Sequence, residues 1–300
     1  MMSDKQLRQM SVEGLTPMAK GANGVVYRLD SDKIIKVINN RDDFEEIERE
    51  FNNSKIAMSC GIPTAKAYEL VRVDDSYGAI YELFTGSLLG SHLMQHPGEA
   101  DSYIDKFTEL ALQLHHTSGQ GLGLVTTKEI FHSRVNRLGG LLSEEDLGIL
   151  RGVVDSFPDR DTLVHGDYHT KNIMLKGDEL MLIDLGNLSL GHPMIDLGQT
   201  YSVLVTYPSS FAASAQENLA VDKEMAARVW DRFFEKYAVG LDGWEKDMVI
   251  AYGRLFSTFD SLFLMAADPR MKVLFYSAFA EFKKNAEAMT ELIKYLNTLF

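Results

Sequence analysis

One cysteine in 300 residues, Cys60, cannot close an intrachain disulfide. No disulfide framework therefore holds this chain, and a reducing compartment, the cytoplasm, is the expected location. Basic charge is also in short supply. Thirty lysines and arginines stand against 43 acidic residues, for a formal net charge of -13. That balance repels phosphate backbones and anionic lipid headgroups, which makes nucleic acid and membrane surfaces poor partners. The N-terminal MMSDKQLRQMSVEG lacks the apolar core of a secretory signal, and the apolar stretch from Val249 to Ala267 is interrupted by Arg254 and Asp260, so no membrane crossing is expected. Internal repeats and low-complexity tracts are missing, and no feature sets an oligomeric state. What is present is 45% hydrophobic residues, 10% of the chain aromatic, over a length that suits two packed domains.

From Gly21 to Val37, GANGVVYRLDSDKIIKV alternates β-branched and aromatic residues with polar ones around Asp30-Ser31-Asp32, the pattern of a hairpin. Phe44, Ile47, Phe51 and Met58 then recur at helical spacing, with Asp42 or Asp43 available as a cap and Gly61 and Pro63 as a stop. Residues Ala67 to Val73 and Ala79 to Phe84 predict a second strand pair. After Thr85-Gly86 the periodicity becomes helical, in Tyr103 to His115, in Glu144 to Val154 and almost throughout from Lys223 onward. Phe233, Phe234, Tyr237, Phe279, Phe282, Met289, Ile293 and Leu296 are the expected buried faces of the last helices. A short hairpin, Ile173 to Leu175 and Leu180 to Ile183, interrupts the helical part.

Before that hairpin lies HGDYHTKN, in which Asp167 and Asn172 are spaced D-x-x-x-x-N, and Asp184 ends the strand that follows. Phosphoryl transfer needs a carboxylate to orient or deprotonate an attacking hydroxyl, and hard oxygen ligands for magnesium. Asp167 is expected as the base, with Asn172 and Asp184 as the metal ligands. Turn-forming polar residues around a hairpin are the bland alternative. The H-x-D-x-H pattern of His165, Asp167 and His169 invites a transition-metal reading, but no further ligand cluster lies nearby. Gly21 and Gly24 sit in a turn where backbone N–H groups can approach phosphates, and Lys36 in IIKV can point a cation at them. A carboxylate to hold Lys36 is expected from the helix, where Glu48 and Glu50 both fall about 80° from the apolar stripe. Glu82 to Thr85, with Phe84, would be the hinge whose backbone meets an adenine edge.

HGDYHTKNIML and LMLIDLG together resemble the motifs of the aminoglycoside phosphotransferase and choline kinase family. That resemblance implies a bilobal α+β protein-kinase-like fold, with a small antiparallel β-rich N-lobe carrying one long helix and a larger, mainly helical C-lobe. It implies a nucleotide-binding lobe over residues 1–84 and a catalytic and acceptor-binding lobe over 85–300, using ATP or GTP and Mg2+. The family's recurring R-E pair favours Glu50 over Glu48 as the partner of Lys36. His169 stands where typical protein kinases have lysine, and GHPMIDLG resembles a segment whose last Asp, here Asp196, braces the catalytic loop. Only eleven residues separate Asp184 from Asp196 and no A-P-E motif follows, which points to a small-molecule hydroxyl acceptor rather than a peptide. A protein kinase and a nucleotide-binding pseudokinase switch or scaffold are the rival readings. His115 and His116 read as helix-end histidines, and Phe256, Phe259 and Phe263 as core.

Overall fold

The computed structural model describes residues 7–21, 24–39, 44–210 and 219–299. The chain forms two compact units, Met1–Leu88 with Asn172–Leu188, and Leu89–Lys171 with Ser189–Phe300.

The first unit is built on a six-stranded sheet. Its strands are β1 (Arg8–Met10), β2 (Pro17–Lys20), β3 (Gly24–Arg28), β4 (Lys33–Ile38), β5 (Ala67–Val73) and β6 (Ser76–Glu82), in the order β1-β5-β6-β4-β3-β2. The β3–β4 hairpin turns at Asp30-Ser31-Asp32 as expected, and the Asp32 amide donates to Asp30 Oδ1 at 2.9 Å, the local bond that makes Asp a turn residue. The sheet is mixed and not wholly antiparallel, because β1 runs parallel to β5. Three residues are too few to show a period of two, so β1 left no sequence signal.

Helix α1 (Phe44–Ser59) lays Ile47 and Phe51 against Ile38, Leu70, Tyr77 and Tyr81 of the sheet. The Asp42 or Asp43 cap lies outside the described residues. Met58, expected on the buried stripe, is exposed, and Ala57 is buried instead.

The hairpin Ile173–Lys176 and Glu179–Leu182 was expected within the helical part, and it joins the sheet unit instead. Leu175 N–H donates to Ser87 O at 2.9 Å, Leu182 N–H to Pro63 O at 2.8 Å, and the Thr64 hydroxyl to Leu182 O at 2.8 Å. An isolated two-stranded hairpin is marginal in water and gains stability from such edges. The division therefore falls at Leu88 and Leu89, with one segment returned, rather than as a single cut after residue 84.

The second unit is helical: α2 (Leu89–Gln95), α3 (Ala100–His115), α4 (Thr127–Asn136), α5 (Glu144–Ser156), α6 (Met194–Tyr201), α7 (Tyr207–Ser210), α8 (Lys223–Tyr237), α9 (Gly243–Ala267) and α10 (Lys272–Leu296). Side chains at the N-termini explain several starts. Thr126 with Glu129 and Asp242 with Glu245 make capping boxes for α4 and α9, while Ser143 and Asp222 cap α5 and α8. The apolar faces expected of α8 and α10 are buried in full. Phe131 packs on Phe157, Phe256 and Phe259, and Phe107 on Tyr168 and Phe233. By length and composition alone α9 could cross a membrane, with 44% of its most apolar window buried inside the unit. A core helix passes the same test, and α9 buries Phe256, Phe259 and Asp260.

Helices α6 and α9 approach closely at Gly198, where an added Cβ would stand 2.6 Å from the Phe256 ring. Gly198→Ala should therefore overpack this crossing and cost about 1–3 kcal/mol. Urea unfolding should show the midpoint falling with an unchanged m value.

Candidate active site

Lys36 is the centre of the site in the sheet unit. It lies in the middle of β4, paired with Val26 and Ala79 on the neighbouring strands. Its Nζ is 2.7 and 2.8 Å from the two Glu50 oxygens and 3.1 Å from Asp184 Oδ1. Glu50, on α1, is buried, whereas Glu48 is only partly so; packing thus separates two glutamates that helical angle left equivalent, in favour of the one the R-E resemblance implied. Burial by itself would lower the Lys36 ammonium, but the charges of Glu50 and then Asp184 outweigh it and hold it above the ordinary lysine value. The Glu50 carboxyl is raised by burial against the pull of Lys36, and the charge of Asp184 adds to the rise. One cation is being shared between two carboxylates.

Asp184 follows the hairpin with φ +60°, a left-handed conformation uncommon outside glycine. Such a residue persists when its surroundings over-determine it. Here α1 grips the next turn: Asn53 Nδ2 donates to Leu185 O and Leu188 O at 2.8 and 3.2 Å, and Arg49 Nε to Gly186 O at 3.1 Å. Asn172 stands at the same end of the hairpin, its carbonyl accepting from Ile183 N–H at 3.0 Å. Among the described residues no three His, Cys, Asp or Glu side chains gather to hold a metal. Two oxygen-bearing side chains, Asn172 and Asp184, are what magnesium takes from a protein when phosphates and water complete its shell, so the residues present fit that ion.

The remaining expected nucleotide contacts belong to the same unit. Gly21 N–H donates to Gly24 O at 2.9 Å across the turn from β2 to β3. A Cβ on Gly24 would stand 2.5 Å from Val37 O, so the neighbouring strand already requires glycine there. Residues 22 and 23 of the GANG turn lie outside the described residues. The Glu82 carboxylate pairs with Lys176 at 2.7 Å, and Phe84 is buried with Lys176 Nζ 5.6 Å from its ring centre. The amides of Glu82 and Leu83 are occupied by Lys66 O and Asp32 O.

Asp167 lies in the helical unit, on a loop fixed from beneath. Asp196 accepts from the amides of both His165 and Gly166 at 2.7 Å. The Tyr168 hydroxyl donates to Phe107 O at 2.6 Å, Thr200 to Tyr168 O at 2.9 Å, and Thr170 to Leu219 O at 3.1 Å. His165, Tyr168 and Thr170 are buried, while a third of the Asp167 side chain stays open. His169 Nδ1 accepts from the Lys171 amide at 3.2 Å, so its Nε2 carries the proton, 3.4 Å from Asp167 Oδ1.

The family model of the phosphotransferase enzyme family matches residues 14–234. The chain belongs to the phosphotransferase enzyme family. No curated protein matches it. Among solved structures, this phosphotransferase is similar to the gentamicin complex of APH(2")-IIa, with 16% identity and a TM-score of 0.60 over 89% of this chain and 91% of that one. It is similar to ADP-bound aminoglycoside phosphotransferase APH(2'')-Ib, with 16% identity and a TM-score of 0.59 over 92% and 94%. A choline/ethanolamine kinase family protein from Mesorhizobium loti shares 15% identity and a TM-score of 0.55 over 94% and 92%. These likenesses are ones of fold, and they establish the α+β protein-kinase-like class.

Two residues of this phosphotransferase, His115 and Asp260, have partners that sequence spacing gave no reason to expect. His115, set aside as a helix-end histidine, donates or accepts at both ring nitrogens: Nε2 is 2.9 Å from Asp196 Oδ2 and Nδ1 is 2.7 Å from the Tyr237 hydroxyl. It steadies the carboxylate that steadies the loop. Asp260, on α9, is buried with Arg134 Nη1 at 3.5 Å. Burial pushes its carboxyl up to about 6, with Arg134 and a hydrogen bond from Gln199 opposing and the charge of Asp167 adding to the rise. A lone carboxylate on the apolar stripe of Phe256, Phe259 and Phe263 was the available signal.

His115→Phe fills the same space without the hydrogen bonds, leaving buried partners unmet. A loss of about 1–3 kcal/mol is expected, read from urea midpoints. Asp260 is a carboxyl whose folded value is raised, so its stability penalty is absent below about pH 4 and complete above about pH 6. Across that window the native chain should lose about 3 kcal/mol relative to Asp260→Asn, measured as the difference between the two pH–stability curves.

Proposed function

We propose that this phosphotransferase moves the γ-phosphate of ATP to a hydroxyl of a small molecule. The observation that carries the reading is Lys36, buried between Glu50 and Asp184 within 3.1 Å of both. A cation fixed in this way is suited to the α- and β-phosphates of a nucleotide, and a largely buried ion pair is by itself weak evidence of a stabilising role. Gly21 and Gly24 would lie along the phosphates. At the hinge, Glu82 and Leu83 already use their amides, so the base edge would meet carbonyls there or the amide of Phe84 onward. The sheet unit is thus assigned the nucleotide and the helical unit the acceptor. GTP would be read by the same backbone groups.

Asn172 and Asp184 would hold magnesium, which when bound neutralises charge on the phosphates. Asp167 accepts the proton of the acceptor hydroxyl as its oxygen bonds to the γ-phosphorus and the bond to the β,γ-bridging oxygen breaks, releasing ADP. His169 Nε2–H steadies the Asp167 carboxylate in its receiving orientation. A small acceptor is supported by the short run from Asp184 to Asp196, and by the gentamicin named in the complex of a structurally similar protein. A net charge of -13 and a single cysteine support a cytoplasmic location for the enzyme, away from nucleic acid and membrane surfaces.

Purified protein with magnesium and γ-labelled ATP or GTP should label members of a library of amines, sugars, hydroxy acids and antibiotics. Asp167→Ala should lower kcat by at least about 10²-fold while nucleotide still binds, and Lys36→Met should raise the nucleotide KM. Label appearing only on the chain itself or on other proteins would replace the small acceptor with a polypeptide. Nucleotide binding with no Asp167-dependent turnover would make the chain a switch or scaffold.

A further inference from the structure

The Arg134–Asp260 pair is a feature of the helical unit that the phosphotransfer chemistry leaves unused. As a stability device it is poor, since removing two charges from water costs about what their attraction returns. What the pair does achieve is a fixed guanidinium. Asp260 Oδ1 holds Arg134 Nη1 at 3.5 Å, and the Phe131 ring centre lies 5.1 Å from the guanidinium carbon. A guanidinium held by a carboxylate and over a ring has already lost much of its rotamer freedom, which makes it a better binder of planar or phosphate oxyanions.

The two partners differ in access. Asp260 keeps 7% of its side chain exposed and Arg134 keeps 20%, so Arg134 is the member that a ligand can touch. The pair also lies beside the loop of the base: Thr200 on α6 donates to Tyr168 O, next to Asp167, at 2.9 Å, and Gly198 of the same helix abuts Phe256, one turn before Asp260 on α9; the charge of Asp167 acting on Asp260 agrees with that placement. Gln199, at the end of α6, hydrogen-bonds Asp260, and the next turn, Ser202–Thr206, is π-helical. Wide turns of this kind recur at functional sites. This one is pinned to α9 by Thr206 Oγ1 donating to Ser257 Oγ at 3.0 Å, three residues before Asp260.

We propose that Arg134, steered by Asp260, binds an anionic oxygen group on the phosphate acceptor, so that the acceptor is a hydroxyl compound carrying a carboxylate or a phosphate rather than a polyamine. The inference rests on the phosphotransfer reading above. An acceptor ammonium would meet Arg134, the more exposed member of the pair, before the buried Asp260 carboxylate, which selects against it.

Initial rates of the full-length enzyme with magnesium and ATP, measured on hydroxy acids, sugar phosphates and amino alcohols, test it. Turnover should be confined to one of the first two groups, and which of them responds separates carboxylate from phosphate. Arg134→Gln should raise the KM for that acceptor at least about tenfold with a smaller change in kcat, and Arg134→Lys should recover part of the loss. The double variant Arg134→Gln/Asp260→Asn leaves neither charge unpaired and should show the same rise in KM, which keeps the test valid if the single variant folds poorly. Turnover of amino alcohols in preference to the anionic compounds, an acceptor KM unmoved by loss of Arg134, or no turnover of any compound by protein that binds nucleotide would each overturn the proposal. Failure to bind nucleotide at all would overturn the phosphotransfer reading and this inference together.

Discussion

A lysine carried out of water must be neutralised where it sits, and Lys36 meets that constraint with two carboxylates from different parts of the chain. Its side chain is 14% exposed, Glu50 comes from α1 and Asp184 from the end of a hairpin 148 residues away. The sheet unit brings both carboxylates to it. The helix must lie on the face of the sheet that Lys36 points from, and the hairpin must return to the unit that its sequence position had left. The Asn53 and Arg49 bonds to carbonyls after Asp184 serve the same end, holding a non-glycine residue in a left-handed conformation that it would otherwise leave.

The helical unit solves a related problem with the opposite sign. Asp196 is buried, and it is satisfied by two backbone amides of the loop that carries Asp167 and by His115. A carboxylate accepting amide hydrogen bonds in a low-dielectric interior makes stronger bonds than it would in water. The loop is consequently a firm support for the candidate base: the residues around it are anchored below, and the Asp167 side chain remains one-third open. Asp260 is buried with a weaker set of partners, and burial raises its carboxyl.

The strand pairs, α1 and the terminal helices were legible because their periodicities are long, and the eight apolar positions expected in α8 and α10 are buried. Strand β1 was not legible, being only three residues in parallel with β5. The candidate site was legible where its residues are close in sequence. Asp167, Asn172 and Asp184 fall within one stretch of eighteen residues, whereas the partners of His115 and Asp260 come from helices far away along the chain.

Sequence by itself determined the loop proposed to carry the chemistry, the candidate lysine and the succession of strands and helices, since these rest on local spacing and on residue type. Tertiary structure decided which unit the hairpin joins and which histidine braces Asp196, and it set Glu50, the glutamate that the R-E resemblance favoured, against Lys36. Helical angle left Glu48 and Glu50 equivalent, and only the close approach of α1 to the sheet buried one of them against a cation. Contacts of that kind depend on how distant segments pack, and pairwise spacing along the chain does not encode them.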